Sequence, residues 1–447
     1  MKWRPVKSDS QLSLNLEGKT RILFIGNYWP YARGGHRVAA LADSAAAHDV
    51  ALVILTSTLN ESPAPRERVW VVETLFKGDV YRFVRRLFGR GVKVGGGLKA
   101  DFQGGQKSSL RSKTVGFLFK AFATFFEVPD AERSWRRHAH AAAAEVIGSN
   151  EIDLVVSGYP LSAHFVAAKI KKEYGVPWIA DLTDLWSANH NYPYFGWRRS
   201  LDRRAEISVL GAADHVLTVS EQLAETEARL LPGVPVSTVL HGFPDELLHI
   251  ETPLASEITL SYVGSLYEKQ DGFEAFLDGL AEAFGDNTVL PLRVRFIGTS
   301  RVEVERRLSP RVNTSDFEFV DRVPRSTAAA MMAESHALLL FGSSADSWSG
   351  VYPSKVFDYL GVRRPVIYVG GHEDDLMSRL IAKTGAGGHF MSGETLASHL
   401  VDICRDDWDH QFERTVEQLE SVQSYSHGAM ASRMYTIFEQ VAGKRGV

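Results

Sequence analysis

One cysteine, Cys404, stands in 447 residues, so no intrachain disulfide can form and a reducing compartment is the natural setting. Long apolar runs are missing too: no stretch reaches the roughly 18 uninterrupted apolar residues that a membrane-spanning helix needs. The first twenty residues, MKWRPVKSDSQLSLNLEGKT, are polar and lack the apolar centre of a secretory signal, which leads us to expect a cytoplasmic protein. A net charge of -4 gives no reason to expect a nucleic-acid partner. Several signatures are absent. There is no dinucleotide GxGxxG, no GxxxxGK[ST] phosphate loop and no GxSxG nucleophile elbow. The histidines do not cluster at ligand spacing, so neither a metal site nor a resident cofactor is expected.

What is present is a globular composition, 45% apolar and 23% charged, in a chain long enough for two domains. The runs at 21–26, 51–56, 69–74, 152–157, 177–182, 214–220 and 236–242 are short and almost continuously apolar, with helical patterns between them. That is the mark of parallel strands buried on both faces. The rhythm breaks at HGFPDELLHIETPLASE (241–257) and restarts at 258–264, 292–298, 317–320, 336–342 and 364–371. The expected fold class is α/β, two doubly wound Rossmann-like domains, 1–245 and 256–425, with a helix at 426–447 returning to the first domain. One insert stands apart. Residues 76–126 hold eleven Lys/Arg against two Asp, with ten Phe or Tyr among them. The run VGFLFKAFATFFEV (115–128) is too short to span a bilayer but suits its interface. Peripheral contact with an anionic membrane is one reading; a helical hairpin packed on its own domain is the other.

Four stretches bear on chemistry. In GNYWPYARGGHR (26–37), Gly34 and Gly35 open a helix, either letting backbone approach an acceptor or phosphate or simply making a turn. In SWSGVYPSKVFDYLGVRRPVI (347–367), Pro353 suits a helix start. The backbone at Gly350, Val351 and Ser354, with Lys355, would then face an anion. Asp358, one turn on, can accept from ribose hydroxyls; an exposed Lys–Asp pair on a capped helix is the plain alternative. YVGSLYEKQDG (262–272) ends a strand in Gly264 and Ser265 and carries Lys269 toward a helix, as a phosphate-facing loop or with a surface lysine. His164, Asp181, Asp184 and Trp186 fall at strand ends, the edge where doubly wound folds bind ligands. For Asp181 a structural turn-capping role is favoured.

These stretches, with HGFP (241–244), resemble family 4 retaining glycosyltransferases of GT-B fold over nearly the whole chain. VPDAERSW (128–135), SGYPLSAH (157–164) and PWIADLTDLW (177–186) resemble a subgroup that assembles bacterial surface polysaccharide and glycoconjugates. The resemblance implies two domains facing a cleft and a nucleoside diphosphate sugar as co-substrate without a metal. The acceptor would be a glycan or a lipid-linked molecule at the inner face of the cell membrane. It implies front-face attack with retention and a donor held by Gly264, Ser265, Lys269, Gly350, Val351, Ser354, Lys355 and Asp358. His164 would contact the donor sugar or reacting centre, a structural role being the plain alternative for a lone histidine near a helix start. Asp184 and Trp186 would contact the acceptor or order the loop NHNYPYFGW (189–197). There are departures. Ser265 stands where the family has arginine, Gly350 where it has the first of two glutamates, Asp358 at the second, and Thr183 at a further arginine. They keep two other readings open: a nucleotide-sugar epimerase or pseudo-glycosidic coupling enzyme on the same scaffold, and a non-catalytic binding protein.

Overall fold

A computed structural model describes residues 13–26, 35–57, 65–74, 121, 123–189, 192, 194–267, 270–286, 288–308, 310–343, 350, 352–405 and 415–443. The chain divides into two compact units, 1–240 with 431–447, and 241–430.

The first unit is built on a parallel sheet of seven strands in the order β3-β2-β1-β4-β5-β6-β7. They are β1 (Thr20–Ile25), β2 (Val50–Ser57), β3 (Val69–Thr74), β4 (Leu154–Ser157), β5 (Trp178–Leu182), β6 (His215–Thr218) and β7 (Val236–Thr238). The central strands are buried on both faces, which is why their sequences run apolar without alternation. The helices are α1 (Gly35–Ser44), α2 (Trp135–Ser149), α3 (Leu161–Tyr174), α4 (Gly196–Leu210) and α5 (Glu221–Leu230). Two tryptophans seat the core by donating from their indoles: Trp135 Nε1 to Thr74 Oγ1 at 2.6 Å and Trp178 Nε1 to Ser157 Oγ at 2.7 Å.

The second unit repeats the design with six parallel strands in the order β10-β9-β8-β11-β12-β13. These are β8 (Thr259–Val263), β9 (Arg293–Ile297), β10 (Phe317–Val320), β11 (Ala337–Phe341), β12 (Val366–Val369) and β13 (Gly387–Phe390). Around them lie α6 (Gly272–Phe284), α7 (Arg301–Arg307), α8 (Arg325–Ala333), α9 (Lys355–Val362), α10 (Leu376–Thr384), α11 (Gly393–Ile403) and α12 (Val416–Gln423). The HGFP turn is held inside this unit: Phe243 N–H donates to Tyr425 O, and His427 N–H donates to Phe243 O. The last helix, α13 (His427–Ala442), carries the chain back into the first unit. There Tyr435 donates to Leu41 O at 2.6 Å, and Ser432 Oγ lies 3.0 Å from His48 Nε2.

β13 is an addition to the sequence reading. Its GGHF sequence has no apolar run, because it is an edge strand with every residue half-buried. β7 also stops at Thr238, short of the run to 242.

In each sheet the strand order reverses once, between β1 and β4 and between β8 and β11. At such a point the flanking connections run in opposite directions and leave a crevice at the carboxyl ends of the strands. Gly35 opens the helix after β1 and His164 lies in the first turn of the helix after β4; Gly264 and Ser265 follow β8 directly, and Lys355 opens the helix after β11.

Candidate functional site

In the second unit the site starts from Gly264. Its φ of 93° lies in the left-handed region, which a side chain would strain. The turn is pinned on three sides. Gly264 N–H donates to Ile297 O, Thr299 Oγ1 donates to Gly264 O, and Tyr262 Oη donates to Ser265 O. Tyr262 stacks on Phe341, ring centroids 4.8 Å apart, and presents its face to Lys355, whose Nζ sits 3.8 Å from the ring centroid. The same Nζ would be 3.6 Å from a Cβ on Gly264. Lys355 as a residue is half-buried, but its ammonium is buried and has no hydrogen-bond partner among the described residues. Burial pushes its pKa down to about 7. The ring face attracts a cation but accepts none of its three N–H groups in the ordinary way.

α9 opens with Ser354 in a helical conformation. Pro353 O and Ser354 O accept from Val356 and Phe357 N–H, which tightens the first turn. Tyr359, one turn on, accepts from Val263 N–H at 3.0 Å and donates to Leu339 O, tying α9 to β8 and β11. Asp358 does not make the exposed pair with Lys355. Its Oδ1 accepts from Arg325 Nη2, while burial raises its pKa and Arg325 opposes that rise. Gly350 has a φ of 91°, so the backbone here is of glycine type and a glutamate at this position would be strained. Gly34, Lys269 and Val351 lie outside the described residues, as do 76–120 of the basic insert.

In the first unit His164 lies near the start of α3, 1% exposed. Its Nδ1 is 2.8 Å from Ser157 Oγ, the atom that accepts from Trp178 Nε1. An indole N–H only donates. Ser157 Oγ thus accepts from Trp178 and shares a second hydrogen bond with Nδ1, in which the hydroxyl donates when the ring proton sits on Nε2. Burial lowers the imidazole pKa to about 3, so the ring is neutral. Asp184 is exposed just beyond β5, and Trp186 is buried edge-on against Phe165. Asp181 is structural: Arg37 grips both its oxygens, at 3.0 and 2.9 Å, and also donates to Val239 O and Leu240 O. Nearby, Glu206 accepts from Ser187, and burial together with Glu206 raises Glu227 to about 8.

Ser157, Trp178, Arg37, Tyr262 and Arg325 were not singled out by sequence reasoning. Ser157, Trp178, Arg37 and Tyr262 did fall inside quoted motifs, but spacing along the chain does not reveal which side chains meet across elements.

No family model and no curated protein matches the chain. Solved structures do resemble it. Sucrose-phosphate synthase from Thermosynechococcus elongatus has a TM-score of 0.59 at 14% identity, over 95% of this chain and 100% of that one. HepE from Anabaena, solved with UDP and glucose, has a TM-score of 0.58 at 11% identity, over 94% and 100%. A Listeria monocytogenes protein assigned as a UDP-N-acetylglucosamine 2-epimerase has a TM-score of 0.52 at 11% identity, over 95% and 97%. Identity this low speaks to fold alone. With its two parallel sheets of seven and six strands and their flanking helices, the chain has the two-domain, Rossmann-like GT-B fold of these neighbours.

Proposed function

We propose that the chain is a glycosyltransferase that moves a sugar from a nucleoside diphosphate sugar to a glycan or lipid-linked acceptor, with retention, in bacterial surface polysaccharide or glycoconjugate synthesis. The observation that carries this is the ammonium of Lys355, buried beside the Gly264 turn with no acceptor among the described residues. A buried charge without a partner is unfavourable, and a diphosphate at the α9 N-terminus would supply the missing acceptors. Lys355 then takes the place of the arginine that Ser265 lacks. Arg325 bonds Oδ1 of Asp358, which leaves Oδ2 to accept from ribose hydroxyls. In the first unit His164 would donate to the sugar through Nε2–H, and Asp184 would contact the acceptor. Leaving-group charge would be stabilised by Lys355 and backbone amides already in place. Peripheral attachment to an anionic membrane through 76–126 would bring a lipid-linked acceptor within reach.

An epimerase is the second reading. The Listeria neighbour shares the fold, and Gly350 and Ser265 depart from the transferase pattern. Incubation with a panel of nucleoside diphosphate sugars separates the readings. Transfer to a lipid-linked acceptor supports the first; a rearranged sugar without acceptor supports the second. No donor binding by calorimetry would leave a non-catalytic protein. Lys355→Ala and Asp358→Ala should each weaken nucleoside diphosphate binding about ten- to a hundredfold, the worth of a hydrogen bond to a charged group. His164→Ala should lower turnover far more than donor affinity.

A further inference from the structure

One buried amide braces the turn that follows β8. Gln270, 5% exposed, lies two residues before the start of α6. Its Nε2 donates to Phe341 O, the last carbonyl of β11, at 3.0 Å. Its Oε1 accepts from Tyr267 N–H at 2.9 Å and lies 3.3 Å from Tyr262 Oη, the hydroxyl that also donates to Ser265 O at 2.8 Å. A single orientation of the amide serves here, because the carbonyl on one side needs a donor and the N–H on the other needs an acceptor. One side chain thus joins the end of β8, the turn after it and the end of β11.

The backbone around Gln270 has little slack. Gln270 N–H closes a turn on Tyr267 O at 3.0 Å. Arg307, the last residue of α7, donates to Tyr267 O at 2.8 Å and to Gln270 O at 2.6 Å. Two positions on, a Cβ at Gly272 would stand 2.0 Å from Val369 O, so the chain there lies directly on the end of β12. An amide fixed at this many points holds still whatever it bonds.

What it bonds is the enclosure of Lys355. The Tyr262 ring, stacked on Phe341, is one wall, with its centroid 3.8 Å from Nζ. The Gly264 backbone is another, close enough that a Cβ there would be 3.6 Å from Nζ. Gln270 reaches the first wall through the phenol of Tyr262. It reaches the second through Tyr267 N–H and through the phenol's bond to Ser265 O. Without the amide, the phenol loses one of its two acceptors and the link from the turn to β11 is cut. Water that then reached the ammonium would return it toward ordinary lysine behaviour, and its donors would no longer be offered at one set position.

We propose that Gln270 is the positioning residue of this site, holding the Lys355 ammonium enclosed and aligned through Tyr262 and the Gly264–Ser265 turn. The consequence for donor binding rests on the diphosphate reading given above; the enclosure itself does not.

Two measurements on the full chain test this. The first needs no ligand. Stability of wild type should rise with pH between about 7, where the enclosed ammonium titrates, and about 10, the range of an ordinary lysine. The part of that slope which Lys355→Met removes belongs to this site. Gln270→Met keeps the volume and cuts the links; Tyr262→Phe keeps the ring and removes the phenol. Each should lose more than half of that part. The second measurement is calorimetric titration with inorganic pyrophosphate at pH 7. Each variant should bind about tenfold more weakly, the worth of one misplaced hydrogen bond to a charged group. The double variant should be no weaker than the weaker single, because both substitutions cut one chain of contacts. Tyr262→Phe preserves the stacked rings, so it carries the test if Gln270→Met does not fold. Slope and affinity that match wild type, losses that add in the double variant, or a fall in affinity with the slope intact would each overturn the proposal. Flattened slopes in the variants, with no pyrophosphate binding by wild type, would keep Gln270 in this role and remove the diphosphate reading instead.

Discussion

Arg37 and Lys355 are both cations on helices that follow a strand flanking a sheet's reversal point, and the two units treat them in opposite ways. Arg37 in α1 is saturated: two oxygens of Asp181 and two backbone carbonyls surround it, and it is 1% exposed. Lys355 in α9 has an aromatic face under it and no acceptor among the described residues. A planar guanidinium with five fixed donors suits a permanent, fully bonded joint. An ammonium on a flexible stem, easily shifted in pKa, suits a place that a ligand completes. The first unit uses its buried cation as architecture; the second keeps one in reserve.

The sharpest break of this comparison is Arg37→Ala. It leaves Asp181 as a buried charge without its partner, and denaturant unfolding should show a loss of about 3–5 kcal/mol. Lys355→Met, by contrast, should be neutral or stabilising at pH 7. A folded pKa of about 7 lies below the unfolded value of an ordinary lysine, so the unfolded chain binds more protons between the two. Stability of the wild type should therefore rise with pH across that window, and the methionine variant should lose that slope. In the same window, binding of a nucleoside diphosphate should take up a proton, seen by calorimetry in buffers of different ionisation enthalpy. A flat slope in wild type would remove the contrast with Arg37.

Ser157→Ala should cost about 1–3 kcal/mol, because it orphans both Trp178 Nε1 and His164 Nδ1. Adding Trp178→Phe should restore part of that loss, a coupling that a double-mutant cycle measures. Glu227 qualifies the picture of a fully paired first unit. Both its carboxylate oxygens are buried without partners among the described residues, and its pKa is raised to about 8. The folded chain then holds the extra proton, so this group's contribution falls as pH climbs from the ordinary glutamate range through about 8. Glu227→Gln should flatten that fall. The smallest effect is expected for Asp358→Asn. Its pair with Arg325 is only partly shielded, with side chains 23% and 38% exposed, so stability should change by less than about 1 kcal/mol. A large loss there would place Asp358 among the architectural charges with Asp181.

The sequence by itself determined the class of fold. Unbroken apolar runs such as ALVILT and HVLT mark strands covered on both faces, and their alternation with helices dictates parallel sheets. It also picked out Gly264, Lys355 and His164, because strand ends followed by helix starts are where such sheets meet ligands. β13 stayed hidden, since an edge strand of GGHF needs no apolar run and its partner, β12, supplies the ladder. What Lys355, Asp358 and His164 do was also beyond reach. Lys355 rests on Tyr262, Asp358 pairs with Arg325, and His164 bonds Ser157, which Trp178 also bonds. Those partners stand 93, 33, 7 and 14 positions away in the chain. Helical and strand periodicity report only which way a side chain points. Only the tertiary structure, by setting one element's face against another's, decided which of these polar groups are satisfied and which one lacks a partner among the described residues.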